Sequence, residues 1–235
     1  MYQMKRTVNC SNIGRDGVIK NSAIVDFLQD CSIIHLDTHP VMAPFFEEEN
    51  CVMFLVSRQI DFYRRPEYME QLTVKTWTYE LKRMYGFRNT IIFGGDGKPC
   101  IASIASGAFM DNATQRPIKV PQELVDRVKL YPKFDMEYLP RKISLPDSIE
   151  TEIPDVQISK CHIDMNKHVN NARYLDITDE FVDNETAVKR IRIEYKKPVK
   201  RGEQVKTLIS SQGNAYFVQL CDENGKAYCI TEYDF

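Results

Sequence analysis

Residues 164–176 read Asp164-Met165-Asn166-Lys167-His168-Val169-Asn170-Asn171-Ala172-Arg173-Tyr174-Leu175-Asp176. A carboxylate, a carboxamide and an imidazole stand at i, i+2 and i+4. They directly precede Tyr174, Leu175, Thr178, Phe181 and Val182, which are spaced as one face of a helix. A buried polar group left unpaired costs about 1–3 kcal/mol. A polar trio running into a buried helix is therefore either hydrogen-bonded as a turn and cap, or retained for chemistry.

The same plan occurs earlier in the chain. Asp16-Gly17-Val18-Ile19-Lys20-Asn21-Ser22-Ala23 leads into Ile24, Phe27, Leu28, Cys31 and Ile34, again at helical spacing. Aligned on their aspartates, the two copies set Val18 against Asn166 and Lys20 against His168, so the first copy lacks the trio and is expected to be structural and substrate-binding. After each helix comes a strand-like stretch, Val52 to Phe62 and Val188 to Tyr195, closing on Tyr63-Arg64-Arg65-Pro66 and Tyr195-Lys196-Lys197-Pro198. A second strand follows each, Leu72 to Thr78 and Gln204 to Ser210, rich in β-branched residues. Two hairpins then turn at Asp96-Gly97 and Asn224-Gly225, pairs that tolerate the positive φ of tight turns. The predicted architecture is α+β: two copies of a long helix wrapped by an antiparallel sheet. The domains are expected at 1–120 and 155–235. A linker at 121–154 holds a short helix at 122–129 and is too long for a connection within one compact domain.

Composition excludes several classes. The 235 residues are 43% hydrophobic with a formal charge of −2, so nothing calls for nucleic acid or an anionic membrane. No apolar run reaches 18 residues and the first six residues lack a signal-peptide core, which predicts a cytoplasmic chain without membrane insertion. Seven dispersed cysteines with no C-x-x-C pair argue against a disulfide framework or a zinc site and fit a reducing compartment. With no ligand cluster and no Gly-rich phosphate loop, neither a metal nor an organic cofactor is expected.

The run Asp164-x-Asn166-x-His168-Val169-Asn170-Asn171-x-x-Tyr174-Leu175, the Arg58 strand, Trp77 and the segment Gly107 to Pro117 together resemble the acyl-acyl-carrier-protein (acyl-ACP) thioesterases. The resemblance covers nearly the whole chain and implies a double hotdog fold, two helices each cradled by an antiparallel sheet. It also implies hydrolysis of medium- to long-chain fatty acyl-ACP to free acid, which terminates fatty acid synthesis. The absence of a transit-like extension suggests a bacterial type. An acyl-CoA thioesterase and a non-hydrolytic acyl-binding hotdog protein are the alternative readings.

Thioester hydrolysis needs an activated water or nucleophile and a donor for the developing oxyanion. Asn166 suits the donor or water-orienting role, His168 the proton acceptor, and Asp164 the support of the imidazole. The family adds a strand carboxylate three residues after the tyrosine; here that position is Pro198, followed by Val199. Glu194 and Glu203 are the candidate substitutes. Asn170 and Asn171 read first as caps and second as substrate contacts. The resemblance implies an acyl tunnel along the first helix, with Ile24, Phe27, Leu28 and Phe54 as lining candidates. Carrier protein is acidic, so Arg64, Arg65, Lys196, Lys197, Lys200 and Arg201 are docking candidates. A double hotdog chain already contains the pair that single hotdog proteins build from two copies, so a monomer or a homodimer is compatible with it.

Overall fold

The alternating and β-branched runs form ten strands: β1 (Tyr2–Thr7), β2 (Cys51–Phe62), β3 (Gln71–Leu81), β4 (Tyr85–Phe93), β5 (Pro99–Asp111), β6 (Thr151–Val156), β7 (Arg190–Tyr195), β8 (Val205–Gln212), β9 (Ala215–Cys221) and β10 (Ala227–Asp234). This computed structural model describes residues 1–235, leaving aside the side chains of residues 154 and 155. All ten strands join one antiparallel sheet in the order β1-β3-β4-β5-β2-β7-β10-β9-β8-β6. From either edge inward the order is the same when β1–β5 are matched to β6–β10. The chain thus carries an internal pseudo-two-fold centred between β2 and β7. Gly97 (φ 75°) and Gly225 (φ 77°) close the two hairpins in the left-handed region that only glycine enters freely.

The β2–β7 seam is short, running from Ser57 opposite Glu194 to Asp61 opposite Arg190. Ile60 faces Ile191 across it, both fully buried. An ion pair between Arg190 Nε and Asp61 Oδ1 (2.7 Å) closes its far end.

The helices are α1 (Asn21–Asp37), α2 (Met42–Glu48), α3 (Gln122–Arg127) and α4 (Arg173–Thr178). Helix α1 lies against β1, β3 and β4 and touches α4. The second half departs from the predicted long helix: α4 has six residues and passes into a 3₁₀ turn at Asp179–Phe181. The cause is chain length. Residues 21–50 separate the first polar loop from β2, whereas only residues 171–189 separate the second from β7.

The expected linker is also revised. Residues 131–143 lie along the outer face of the sheet, held by Trp77 Nε1 to the Pro132 carbonyl (2.8 Å), Gln59 Nε2 to the Glu137 carbonyl (2.8 Å) and Arg192 Nη2 to the Pro140 carbonyl (2.6 Å). Residues 151–154 open β6, which pairs with β8 at the sheet edge.

A second tie between the halves sits beneath α1. Asp179 accepts hydrogen bonds from the Tyr233 hydroxyl (2.7 Å) and from Asn21 Nδ2 (3.2 Å). Burial pushes its carboxyl up to about 8.

Two stability predictions follow from these contacts. Ile191→Ala, which opens a void at the seam, is expected to cost about 2–5 kcal/mol in urea unfolding; a loss near zero would show that the seam is not packed as described. Because the folded pKa of Asp179 lies above its unfolded value, the folded state holds a proton that the unfolded chain releases above about pH 4. Its contribution is therefore full below that pH and is lost as pH rises through 8. The wild-type Tm should fall between pH 6 and 9, and Asp179→Asn should flatten that slope.

Candidate active site

The polar run is a tight hairpin-like loop. Ile163 bridges Val169, the Asp164 N–H donates to the His168 carbonyl (2.9 Å), and the Lys167 N–H donates to the Asp164 carbonyl (3.0 Å). Lys167 carries the strain of the turn at φ 64°. The first half repeats this loop with Ile13 bridging Ile19 and Gly17 at φ 79°. Those bridges correct the register read from the sequence: the equivalents of Asp164, Asn166 and His168 are Gly14, Asp16 and Val18, two residues earlier than an alignment on the aspartates gives. The conclusion that the first copy lacks the trio stands.

Asp164 Oδ1 accepts the Asn166 N–H (2.8 Å), a side-chain-to-backbone turn. Among the described residues no hydrogen bond joins the carboxylate to the His168 imidazole, so the expected triad-like support of the histidine is replaced by support of the loop. Asn166 is exposed and His168 half-buried. Asn170 Oδ1 accepts the Ala172 N–H (2.9 Å), which caps the entry to α4, and also Gln29 Nε2 (3.3 Å) from α1. The Asn171 carbonyl accepts the Tyr195 hydroxyl (3.2 Å). The loop of the second half is thereby tied to the helix of the first and to the strand beside the seam.

These residues border a cavity of about 650 Å³, within the range of ligand sites. Asp164, Asn166, His168, Asn170 and Asn171 contribute one wall, Gln29, Ser32, Ile33 and Leu36 the facing side of α1, and Leu55, Arg58, Arg88 and Ala105 the sheet. Asn112 and Gln115, from the segment after β5, also reach it. Met53 lies across Gly107, where an added Cβ would collide with Met53 Cγ, so the glycine is required by close approach.

Of the lining predicted from the sequence, only Phe54 is in place. Ile24, Phe27 and Leu28 sit in the main core on other faces of α1, at 0, 6 and 0% exposure. Helix positions 29, 32, 33 and 36 face the cavity in their stead. On β2 a bulge between Leu55 and Ser57 shifts the alternation, so that Leu55 and Arg58 share the cavity face.

Neither substitute acid reaches the site. Glu194 is on the opposite sheet face from Tyr195, with Oε2 accepting the Ile143 N–H (3.2 Å) and Oε1 paired with Lys196 (2.9 Å). Glu203 folds back to accept the Lys200 N–H (2.7 Å). Among the described residues Asp164 is the one carboxylate on the cavity wall. Among the described residues no group of three His, Cys, Asp or Glu side chains is arranged to hold a metal.

The basic candidates separate likewise. Arg65 is half-buried and donates to Asn21 Oδ1 (2.9 Å) and the Glu185 carbonyl (2.7 Å), a structural bracket and not a docking group. Arg64 is paired with Glu70, and Lys196 with Glu194. Lys197 lines the cavity beside Pro198, and Lys200 bridges His168 through its backbone, leaving Lys197, Lys200 and Arg201 exposed on the loops around His168.

Comparison with known proteins identifies this arrangement. Residues 1–128 match the acyl-ACP thioesterase N-terminal domain and residues 147–232 the acyl-ACP thioesterase C-terminal domain. The chain belongs to the acyl-ACP thioesterase family. As a member of that family it is a thioester hydrolase acting on acyl-ACP. It is 22% identical over 253 residues to the chloroplastic oleoyl-acyl carrier protein thioesterase of Coriandrum sativum, covering 98% of this chain and 69% of that protein. Its fold matches that of an acyl-ACP thioesterase from Bacteroides thetaiotaomicron at TM-score 0.86, with 17% identity over 99% of this chain and 96% of the other. It also matches the 12:0-ACP thioesterase from Umbellularia californica at TM-score 0.85, with 14% identity over 99% and 92%. In this acyl-ACP thioesterase no helix is long and apolar enough to cross a membrane.

The Asp164 geometry separates two roles by substitution. Asp164→Asn keeps an oxygen for the Asn166 N–H and is expected to retain activity within about tenfold, whereas Asp164→Ala removes the turn and should lose more. A triad-type carboxylate would instead give a loss of about 10⁴ on conversion to Asn. Steady-state kcat on a single acyl-ACP distinguishes them.

Proposed function

We propose that this thioesterase hydrolyses fatty acyl-ACP at the loop–cavity junction, with His168 as general base and Asn166 as the polarising group, releasing free fatty acid at the end of fatty acid synthesis. In this reading a water held between His168 and Asn166 attacks the thioester carbonyl carbon, and its proton passes to the imidazole. The Asn166 carboxamide donates to the developing oxyanion. Collapse breaks the C–S bond, and the imidazolium returns the proton to the departing thiolate of the carrier's prosthetic arm. Asp164 shapes the loop that presents both groups. Among the described residues no carboxylate other than Asp164 lies on the wall, which supports the histidine as the base.

The observation that carries this reading is placement. The exposed Asn166 and half-buried His168 border the same cavity as the α1 face, so a thioester at the loop leaves its acyl chain room beneath the helix. The exposed Lys197, Lys200 and Arg201 support docking of an acidic carrier beside His168. Seven unpaired cysteines support a cytoplasmic location.

His168→Ala is expected to lower kcat by about 10²–10⁴ with an unchanged Tm, the usual range for loss of a general base; unchanged turnover would place the chemistry elsewhere. The double variant Lys200→Glu/Arg201→Glu is expected to raise KM for acyl-ACP while leaving KM for the matching acyl-CoA within about twofold, because rim charges act mainly on encounter. Equal effects on both substrates would remove these residues from carrier docking.

A further inference from the structure

Arg58 on β2 and Arg88 on β4 both stand opposite Ala105 on the intervening strand β5. Their side chains leave the sheet on the same row and face, with Cα atoms two strand spacings apart, about 10 Å. They are 3% and 7% exposed and both line the cavity.

Neither belongs to any ion pair among the described residues. Arg88 donates Nη1 to the Ser32 carbonyl (2.8 Å) and Nη2 to His35 Nδ1 (3.2 Å). His35 is kept neutral by burial and by the guanidinium beside it, which push its pKa down to about 3, so it serves as an acceptor and adds no charge. Arg58 has one long contact, Nη1 to Ser103 Oγ (3.4 Å), and its Nε has no partner. Burial and mutual repulsion lower the Arg88 pKa to about 10, which still leaves it a cation at neutral pH.

Two buried cations without an anion are what a protein avoids unless something else supplies the charge. Among the described residues the only carboxylate on the cavity wall, Asp164, is engaged by its own turn. The row also has a definite depth. Gln29, which touches Asn170, precedes Ser32, which touches Arg88, by three helical residues, about 4.5 Å along the axis. The guanidiniums therefore sit a few bonds beyond the loop, whereas Ile33, Leu36, Met53 and Phe54 give the same cavity an apolar limb.

We propose that Arg58 and Arg88 form an oxyanion-seeking subsite for the acyl chain itself, so that the preferred substrate carries a second oxygen function, a carboxylate, keto or hydroxyl group, near its thioester. This rests on the reading that the loop binds the thioester. It goes beyond that reading in naming a class of acyl group other than a plain alkyl chain.

The test is a panel of short ACP thioesters, about four carbons each, so that every added oxygen lies within a few bonds of the thioester: plain, 3-hydroxy, 3-oxo and ω-carboxy, assayed with wild type, Arg58→Met and Arg58→Lys. At least one oxygen-bearing substrate is expected to exceed the plain chain by about tenfold or more in kcat/KM, since a site built for a polar group rejects the analogue lacking it. The preference should reside in KM, fall to within about threefold in Arg58→Met and survive partly in Arg58→Lys. A preference for ω-carboxy over the neutral pair would mark an anion subsite, and the reverse a carbonyl or hydroxyl subsite. A wild type that prefers the plain chain, or a preference untouched in Arg58→Met, overturns the proposal. Calorimetric binding of the free dicarboxylic, 3-hydroxy and plain acids to wild type and Arg58→Met keeps the two readings apart. If no thioester is hydrolysed, Arg58-dependent binding still supports the subsite, and its absence removes it.

Discussion

Everything at the site depends on the antiparallel pairing of β2 with β7. That seam fuses two five-stranded arrays into one sheet, and it fixes how the loop of one half meets the helix of the other. The contacts between Ile60 and Ile191 and between Arg190 and Asp61 are modest individually. They nonetheless set the position of Tyr195, whose hydroxyl holds the Asn171 carbonyl, and hence of the polar loop. A polar loop that is exposed over part of its length gains its precision from that chain of contacts and not from its own burial.

The two halves have diverged in complementary ways. The first keeps a seventeen-residue helix and has a loop in which glycine, aspartate and valine occupy the trio's positions. The second keeps the trio but retains only a six-residue helix. One half thus supplies most of the cavity and the other the polar groups, and a single site results where an exact repeat would make two. The closing residue of each loop, Ile19 in the first and Val169 in the second, is buried in the same core, so the divergence is confined to the loop tips.

Much of this was legible in the sequence because it rests on local rules. Strand alternation, β-branched runs and the Asp-Gly and Asn-Gly turns located eight of the ten strands, and the helix face of residues 24–34 located α1. The two missed strands, β1 and β6, are short edge strands carrying residues such as Lys5, Arg6, Glu152 and Pro154, a composition that blunts an edge and hides its periodicity. Helix α2 escaped because it is seven residues long and contains Pro44. Which face of α1 meets the cavity was not legible, since α1 is covered by sheet, α4 and cavity at once and its apolar residues do not label the cavity side. The buried arginines left a signal: Arg58 is the one cation between Val52 and Phe62. A strand arginine ordinarily faces solvent, and only the bulge after Leu55 shows that this one does not.

The central claim is that the site is built jointly, with α1 of the first half positioning the loop of the second through Gln29 and Asn170. A double-mutant cycle on Gln29→Ala and Asn170→Ala, read in kcat/KM on acyl-ACP, tests it most directly. The account predicts strong coupling: each single variant loses activity and the double variant is little worse than either, with an interaction energy of about 0.5–3 kcal/mol. Losses that simply add would mean that the two halves act independently at this point, and would contradict it.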